Sequence, residues 1–352
     1  MNRRLLPAYP LFVNDPYFSI WSDSDILNES DTIFWNGKKK KTYGFIHVDG
    51  ITYSFLGNAD NVMKLKQTKL SVTAFSTDYT FESDEFILNL SFISPLLLTN
   101  LDLLSRPVCY MTYNVQFKND VKDFKIALMF NENHCYNNMK DFVIGGCFDL
   151  KDYELAYFGL NRQHPMSNTF DSVSADWGYT YISGNEAFFT SKEAILKFID
   201  KGEMQYILND LEEKYIVGID SYKDCSNDIK GKFLVAFDDM CSIFYFGEWL
   251  KGYYFRNGKT IFDAVNDAYY NFEHNLEELR EFEQDLEERL DVYDEDYKLL
   301  CYASLRQSIA AHKLVENKDK ILSELELEEK RFTRTLKQGE KEFEKIVSKG
   351  IT

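Results

Sequence analysis

The side chains best suited to acid–base chemistry are carboxylates in two short motifs. One is Asp176, in Asp-Trp-Gly, and the other is the adjacent pair Asp238 and Asp239. Two carboxyl groups can divide general acid and general base roles. Adjacent strand residues point to opposite faces, so this pair predicts one pocket carboxylate and one structural carboxylate. Asp176 either orients a loop through an Asx turn, which we favour, or contacts a substrate.

Basic and aromatic side chains provide further candidates for a functional site. Arg106, before a proline, is expected to hold a buried carboxylate in a bidentate fork, and binding of a substrate carboxylate is the alternative. Trp177 either packs in the core or walls a pocket. Among five histidines His312 is the strongest candidate, with helix packing and a pocket role both open. We assign no nucleophile, cofactor or metal, since the sequence has no Ser-His-Asp spacing, phosphate-binding glycine loop or zinc-type Cys/His spacing.

Strands must position most of these residues. Phe86, Leu88, Leu90 and Phe92 alternate with their neighbours, and a second alternation covers residues 109–117. A period of two places one set on a buried sheet face. The segment between the two strands is too apolar for a solvated loop and is expected to pack against a second layer.

Further strands and turns extend from about residue 40 to about 245, and one strand is predicted over residues 70–81. Asp49-Gly50 predicts a type I′ hairpin. A run of short strands favours a large antiparallel sandwich over a parallel sheet. Helical periodicity begins at Thr260, a candidate N-cap, and again near Asp294. The predicted fold class is mainly β plus α: a large antiparallel β-sandwich followed by a truncated set of helices.

Composition narrows the function classes. The net charge of −17 argues against unaided binding to nucleic acid or to an anionic membrane. Hydrophobic residues make up 45% of the chain, which is enough for a large core. The basic run Lys38–Lys41 is expected in a solvated turn. The six cysteines form no CxxC pair, and no stretch reaches the ~18 apolar residues of a membrane helix. We therefore expect a cytoplasmic protein without a disulfide framework.

Several motifs, taken in order, resemble those of the glutaminase A family. They are AYPLFVNDPYFSIWSD at 8–23, FWNG at 34–37, YGFIHVDGITYSFLG at 43–57, LDLLSRP at 101–107, ADWGYTYIS at 175–183, FDDMCSIFYFGEWLKGYYFRNGK at 237–259 and CYASLRQSIAAHKLV at 301–315. Each alone is weak, but seven in the family's order are specific, and the likeness covers residues 6–315.

This resemblance implies an N-terminal β-sandwich followed by a helical α/α barrel. It also implies hydrolysis of L-glutamine to L-glutamate and ammonia, with the pocket at the mouth of the barrel and sandwich loops as one wall. The likeness stops after Val315. The following tail, with EEKRFTRTLKQG as its core, resembles a helical segment of alanyl-tRNA synthetase over residues 320–350. A generic Glu/Lys helix is the alternative, and a junction of two gene fragments near residue 316 would explain the tail.

The predicted domains are 1–255 (sandwich), 256–316 (first helices of a truncated α/α domain) and 317–352 (charged helical tail). Three functions remain open: a truncated glutaminase A-like protein, inactive alone; a non-catalytic binding or interaction module; and a chimeric fragment classed through its tail as alanyl-tRNA synthetase. The expected partners are a small amide or amino-acid substrate and, through exposed helix faces, a second copy, but neither nucleic acid nor membrane.

Overall fold

The computed structural model describes residues 6–137, 141–166 and 174–316. The chain divides into a unit of residues 1–314 and a unit of residues 315–352, and the structural features below belong to the first. The charged helical tail that resembles an alanyl-tRNA synthetase segment lies outside the described residues. The predicted domain division at residues 255 and 316 stays a prediction.

Strands dominate the described chain. In chain order they are β1 (Tyr9–Asp15), β2 (Phe18–Ser22), β3 (Ile33–Phe34), β4 (Thr42–Val48), β5 (Ile51–Leu56), β6 (Met63–Lys64), β7 (Lys66–Val72), β8 (Ser76–Glu82), β9 (Phe86–Ile93), β10 (Val108–Phe117), β11 (Val121–Asn131), β12 (Val143–Asp149), β13 (Glu154–Leu160), β14 (Tyr179–Gly184), β15 (Glu186–Ser191), β16 (Lys214–Cys225), β17 (Ile229–Asp238), β18 (Ile243–Tyr245) and β19 (Glu248–Leu250).

Two large sheets form the predicted sandwich. One has eight strands in the order β12-β13-β14-β17-β10-β9-β8-β7, and the other has six in the order β15-β16-β11-β4-β5-β6. Pairing is antiparallel except between the short β6 and β5. The core between the sheets is rich in phenylalanine, with Phe92 and Phe124 among its fully buried members. Stacking two apolar faces removes both from water, so the mainly β plus α fold class is confirmed.

Helices cover both outer faces of the sandwich. They are α1 (Leu101–Ser105), α2 (Lys192–Lys201), α3 (Ile261–Tyr270), α4 (Phe272–Leu290) and α5 (Glu295–Ala310), with 3₁₀ segments at Glu132–His134 and Tyr253–Gly258. Ala264, Val265 and Ala268 of α3 pack against the eight-stranded sheet, and Phe198 of α2 packs against the six-stranded sheet. The apolar faces of the C-terminal helices thus lie on the sandwich.

The local predictions are mostly confirmed. Asp49 and Gly50 have positive φ angles of 45° and 92°, as a type I′ turn requires. Thr260 caps α3 with a capping box that includes Asp263. Asp294 caps α5. The apolar connector before β10 contains α1 and buries leucines such as Leu97 against the C-terminal helices.

Two predictions at residue level are wrong. Residues 70–81 were expected to form one strand, but they belong to the hairpin of β7 and β8. Lys40 does not lie in a solvated turn: its side chain is buried, and its ammonium donates to the carbonyls of Asn133 and Tyr136 at 2.7 and 2.6 Å. Carbonyl oxygens replace the water that burial removes.

The described cysteines are all free thiols, and four of them are buried: Cys109, Cys135, Cys225 and Cys241. No helix within the described ranges is long and apolar enough to cross a membrane.

Candidate functional site

Three elements end close together and bring a set of charged residues into contact. Asp15 is the last residue of β1, Asp239 follows β17, and Lys313 lies three residues beyond α5. The Lys313 ammonium contacts a carboxylate oxygen of Asp15 and lies 2.9 Å from Oδ2 of Asp239. We call these three residues the charged cluster. It joins positions 298 residues apart in the chain.

The charged cluster is buried. The side chains of Lys313, Asp15 and Asp239 are 9%, 5% and 2% exposed. Burial alone would lower the pKa of Lys313, but the two carboxylates outweigh it and raise that pKa above the usual lysine value. The lysine therefore stays charged at neutral pH and pairs with both carboxylates.

The turn from β1 to β2 is built around Asp15. Its Oδ1 accepts from the backbone N–H of Tyr17 at 2.8 Å and of Phe18 at 3.2 Å, an Asx-type arrangement. The second oxygen is thereby aimed at Lys313. This turn is the Asn-Asp-Pro-Tyr-Phe portion of the motif at residues 8–23.

Tyr17 lies beside the charged cluster, and Trp177, a member of the core between the sheets, packs against Tyr17. The Tyr17 hydroxyl donates to the carbonyl of Ser242 at 2.6 Å, and its ring meets Trp177 edge-on at 5.2 Å. The ring centre lies 5.9 Å from the Lys313 ammonium. Burial, followed by the charge of Asp15, raises the pKa of Tyr17 to about 12, so the phenol stays protonated.

The other site residues predicted from the sequence lie in different surroundings. Asp238 accepts from the backbone N–H of Met240 at 2.9 Å, and burial, with the neighbouring Asp239 charge, raises its pKa. Asp176 is near enough to Lys40 to act on the pKa of that lysine. His312 is exposed, with Nδ1 2.6 Å from the Ser308 carbonyl, so the next residue rather than His312 enters the charged cluster.

Arg106 lies elsewhere, under the C-terminal helices. Its Nη2 donates to the Tyr110 hydroxyl at 3.0 Å, and that hydroxyl donates to the Ala268 carbonyl at 3.1 Å. Arg106 meets no carboxylate among the residues that the structure describes, so the predicted carboxylate fork is wrong for this part of the chain. The Tyr110 hydroxyl, held by its hydrogen bond to the Ala268 carbonyl, takes the place of the expected carboxylate.

Sequence reasoning missed three residues that matter most here: Asp15, Tyr17 and Lys313. Each falls inside a motif that carries the family resemblance, at residues 8–23 or 301–315. The motifs were thus the available signal, but the choice of residue within each motif needed three-dimensional contacts.

An exposed two-stranded hairpin lies beside the charged cluster. We call residues 243–250, which comprise β18 and β19, the aromatic hairpin. Its side chains Phe244, Tyr245, Phe246 and Trp249 are 51%, 42%, 90% and 56% exposed. The rings of Phe244 and Trp249 lie with their centres 4.7 Å apart and are tilted by 49°. The Ser242 N–H donates to the Leu250 carbonyl at 2.9 Å and closes the base of the hairpin.

The fold and the charged cluster define a class: an antiparallel β-sandwich with helices on both outer faces and a buried ion cluster where β1, β17 and α5 end. The chain belongs to the family described as a domain of unknown function, DUF5127, whose family model matches residues 75–289. A second domain of unknown function, DUF4964, matches residues 2–67.

Two known proteins are similar to the chain. Glutaminase A of Aspergillus oryzae (strain ATCC 42149 / RIB 40) is 23% identical over 184 residues, which are 50% of this chain and 26% of that protein. The chain therefore spans about a quarter of the length of that relative. The solved structure of a putative kojibiose phosphorylase from human microbiome aligns at 10% identity and a TM-score of 0.32, over 85% of this chain and 35% of that chain.

Proposed function

We propose that this chain is part of a glutaminase A-like amidohydrolase, in which the sandwich supports a substrate site rather than breaking the amide bond. The 23% identity with a protein named glutaminase A supports the assignment to that activity. Its substrate would be a small amide such as L-glutamine.

The observation that carries the supporting role is the closure of the charged cluster. Amide hydrolysis needs a base or nucleophile that reaches the substrate, and donors aimed at the developing oxyanion. Lys313 instead contacts Asp15 and Asp239, and all three side chains are buried. Such a cluster holds three chain segments together. Its charges neutralise one another and are not directed at a substrate.

Several other side chains in the described residues that could act as nucleophiles or bases are also buried and uncharged. Burial raises the pKa of the Cys109 thiol to about 12 and also raises that of Cys135, so neither is a thiolate at neutral pH. Burial lowers the pKa of His47 and His134, and each imidazole is hydrogen-bonded to a threonine hydroxyl. These groups fit structural roles.

The aromatic hairpin favours a second candidate function, a non-catalytic binding module. Four aromatic side chains exposed on eight residues form an apolar surface that water does not favour. Rings such as Trp249 and Tyr245 contribute large contact areas with few rotatable bonds. In either candidate function this hairpin is the surface that meets a ligand or a neighbouring domain.

Ammonia release from L-glutamine tests the proposal. The full chain should release no ammonia above the buffer blank, and Asp239→Asn should give the same result. Turnover on the order of 1 s⁻¹ or more, within the ordinary range of enzymes, would contradict a supporting role.

A further inference from the structure

The aromatic hairpin is a sheet of only two short strands. Its strands β18 and β19 pair antiparallel, with Phe244 opposite Trp249 and Tyr245 opposite Glu248. No further strand pairs with either of them in the part of the chain that the structure describes. A strand without a neighbour presents unpaired N–H and C=O groups that a strand of another molecule can pair with. This small sheet therefore has two edges that no described strand completes.

The turn of the hairpin holds a bulky side chain where the backbone favours asparagine. Phe246 and Gly247 connect the two strands, and their φ angles of 46° and 91° lie in the left-handed region. A two-residue type I′ turn needs that region at both positions, and Asn-Gly is the preferred pair. Phe246 is nevertheless 90% exposed, and its ring centre lies 4.5 Å from that of Tyr245. A strained and exposed aromatic residue points to a contact outside this chain.

The exposed area of the hairpin is large enough for a weak dimer. An aromatic side chain offers about 200 Å² of surface, so the exposed fractions of the four rings leave about 500 Å² in water. Two copies that cover these surfaces on each other would bury about 1,000 Å² together, which is the lower bound of a specific interface. The hairpin of a second copy thus supplies enough area for association.

The charge of the hairpin also suits a second copy. Glu248 is the only charged residue between positions 243 and 250, although the whole chain has a net charge of −17. Two acidic copies can therefore approach through this hairpin with little local repulsion. Self-association was expected through exposed helix faces, but the apolar faces of the C-terminal helices lie on the sandwich. The hairpin offers the apolar surface that those helices do not.

We propose that the aromatic hairpins of two copies of this chain pack against each other about a two-fold axis. In such a dimer each hairpin contacts the same surface of its partner, so one patch is enough to close the assembly. The rings of Phe244, Phe246 and Trp249 lie at its centre. This inference rests on the binding-module candidate of the proposed function and names the partner as a second copy.

Sedimentation velocity of the full chain at pH 7 tests the proposal. We expect a reversible monomer–dimer equilibrium with Kd on the order of 10 µM, as a small interface predicts. Raising the salt concentration from about 0.01 M to about 1 M shortens the Debye length from about 30 Å to about 3 Å. The higher salt should strengthen the dimer severalfold, because it screens the repulsion between two acidic copies.

Matched variants locate the interface. Trp249→Ala should weaken dimerisation about tenfold or more, as truncation of a central aromatic side chain does. Phe246→Asn should weaken it similarly without lowering stability to urea, because Asn-Gly suits the turn and the hairpin stays folded. Phe142→Asn makes the same change at a phenylalanine that is 55% exposed outside the hairpin, and it should leave Kd within about twofold.

Three results would overturn the dimer. The first is a chain that stays monomeric up to about 200 µM, which would leave the hairpin to a ligand or to another domain. The second is a dimer that Trp249→Ala and Phe246→Asn weaken no more than Phe142→Asn does. The third is growth into larger open-ended assemblies, since a two-fold contact stops at two copies. Ammonia release measures catalysis and not self-association, so either proposal can fail while the other holds.

Discussion

Burial shifts the pKa of the Lys40 ammonium towards neutrality. Its ammonium is buried, and it donates to two backbone carbonyls without contacting a carboxylate at ion-pair distance in the described chain. Removal from water lowers its pKa to about 8, and the nearby Asp176 charge opposes this only weakly.

This lowered pKa predicts a measurable pH dependence. Between pH 8 and the ordinary lysine pKa, the unfolded chain binds more protons than the folded chain, so stability rises with pH. Lys40→Met removes that contribution. The unfolding free energy of the wild type relative to Lys40→Met should therefore increase from pH 7 to pH 10, by on the order of 3 kcal/mol. Urea unfolding at several pH values measures it, and parallel curves for the two proteins would contradict it.

Residue identity was the hardest feature to predict. His312 and Lys313 are adjacent, and only the lysine reaches the charged cluster. Both follow the last helical residue, Ala310, so helical periodicity no longer says which side chain points inward. Arg106 illustrates a second limit, because the sequence indicates a buried guanidinium but not whether an acid or a phenol accepts from it.

At the scale of elements, the alternation of apolar residues predicted strands reliably where only one face of the sheet is buried. In β9, Phe86, Leu88 and Leu90 are buried and alternate with partly exposed residues. Residues 108–111 of β10 are buried on both faces, because α3 packs on the side away from the inter-sheet core. Alternation alone cannot reveal that second layer.

Helix boundaries were predicted less well than helix existence. One continuous helix was expected from Thr260 onward, but α3 ends at Tyr270 and α4 begins at Phe272, with a non-helical conformation at Asn271. The helix α2 was missed entirely within a segment interpreted as β. Its buried residues Ala194, Ile195 and Phe198 have helical spacing, but they span little more than one turn.

The start of α3 gives a prediction at this scale. The Thr260 hydroxyl and Asp263 form a capping box that satisfies backbone N–H groups of the first turn. Thr260→Ala should lower the unfolding free energy by about 1 kcal/mol, whereas Thr260→Ser, which keeps the hydroxyl, should lose less than half of that. Urea unfolding measures both. Equal losses would show that the hydroxyl does not contribute to capping.

Where the structure describes it, the unit of residues 1–314 is a stack of layers joined by a few long-range polar contacts. The sequence pattern predicted the sandwich and its C-terminal helices, because burial on one face leaves a local periodic signal. It did not predict that the ends of β1, β17 and α5 meet. A contact between Asp15 and Lys313 spans 298 residues, and nothing in the local pattern encodes the choice of partner.

The charged cluster therefore provides the most direct test of the central claim, that the described part of the chain is a structural support and not a reaction centre. Removing the cation from a buried ion cluster leaves two uncompensated carboxylates, at a cost of about 3–5 kcal/mol, whereas neutralising every member removes the mismatch. Exposed His312 provides the control, since His312→Ala should change stability by less than about 0.5 kcal/mol.

The decisive measurement is the unfolding free energy, from urea titration at pH 7, of Lys313→Met and of the triple variant Asp15→Asn/Lys313→Met/Asp239→Asn. A structural cluster predicts a loss of about 3–5 kcal/mol in Lys313→Met and recovery of most of it in the triple variant. Unchanged or increased stability of Lys313→Met would contradict the claim, because reaction centres are commonly held together at the expense of stability and gain from the loss of a charged member.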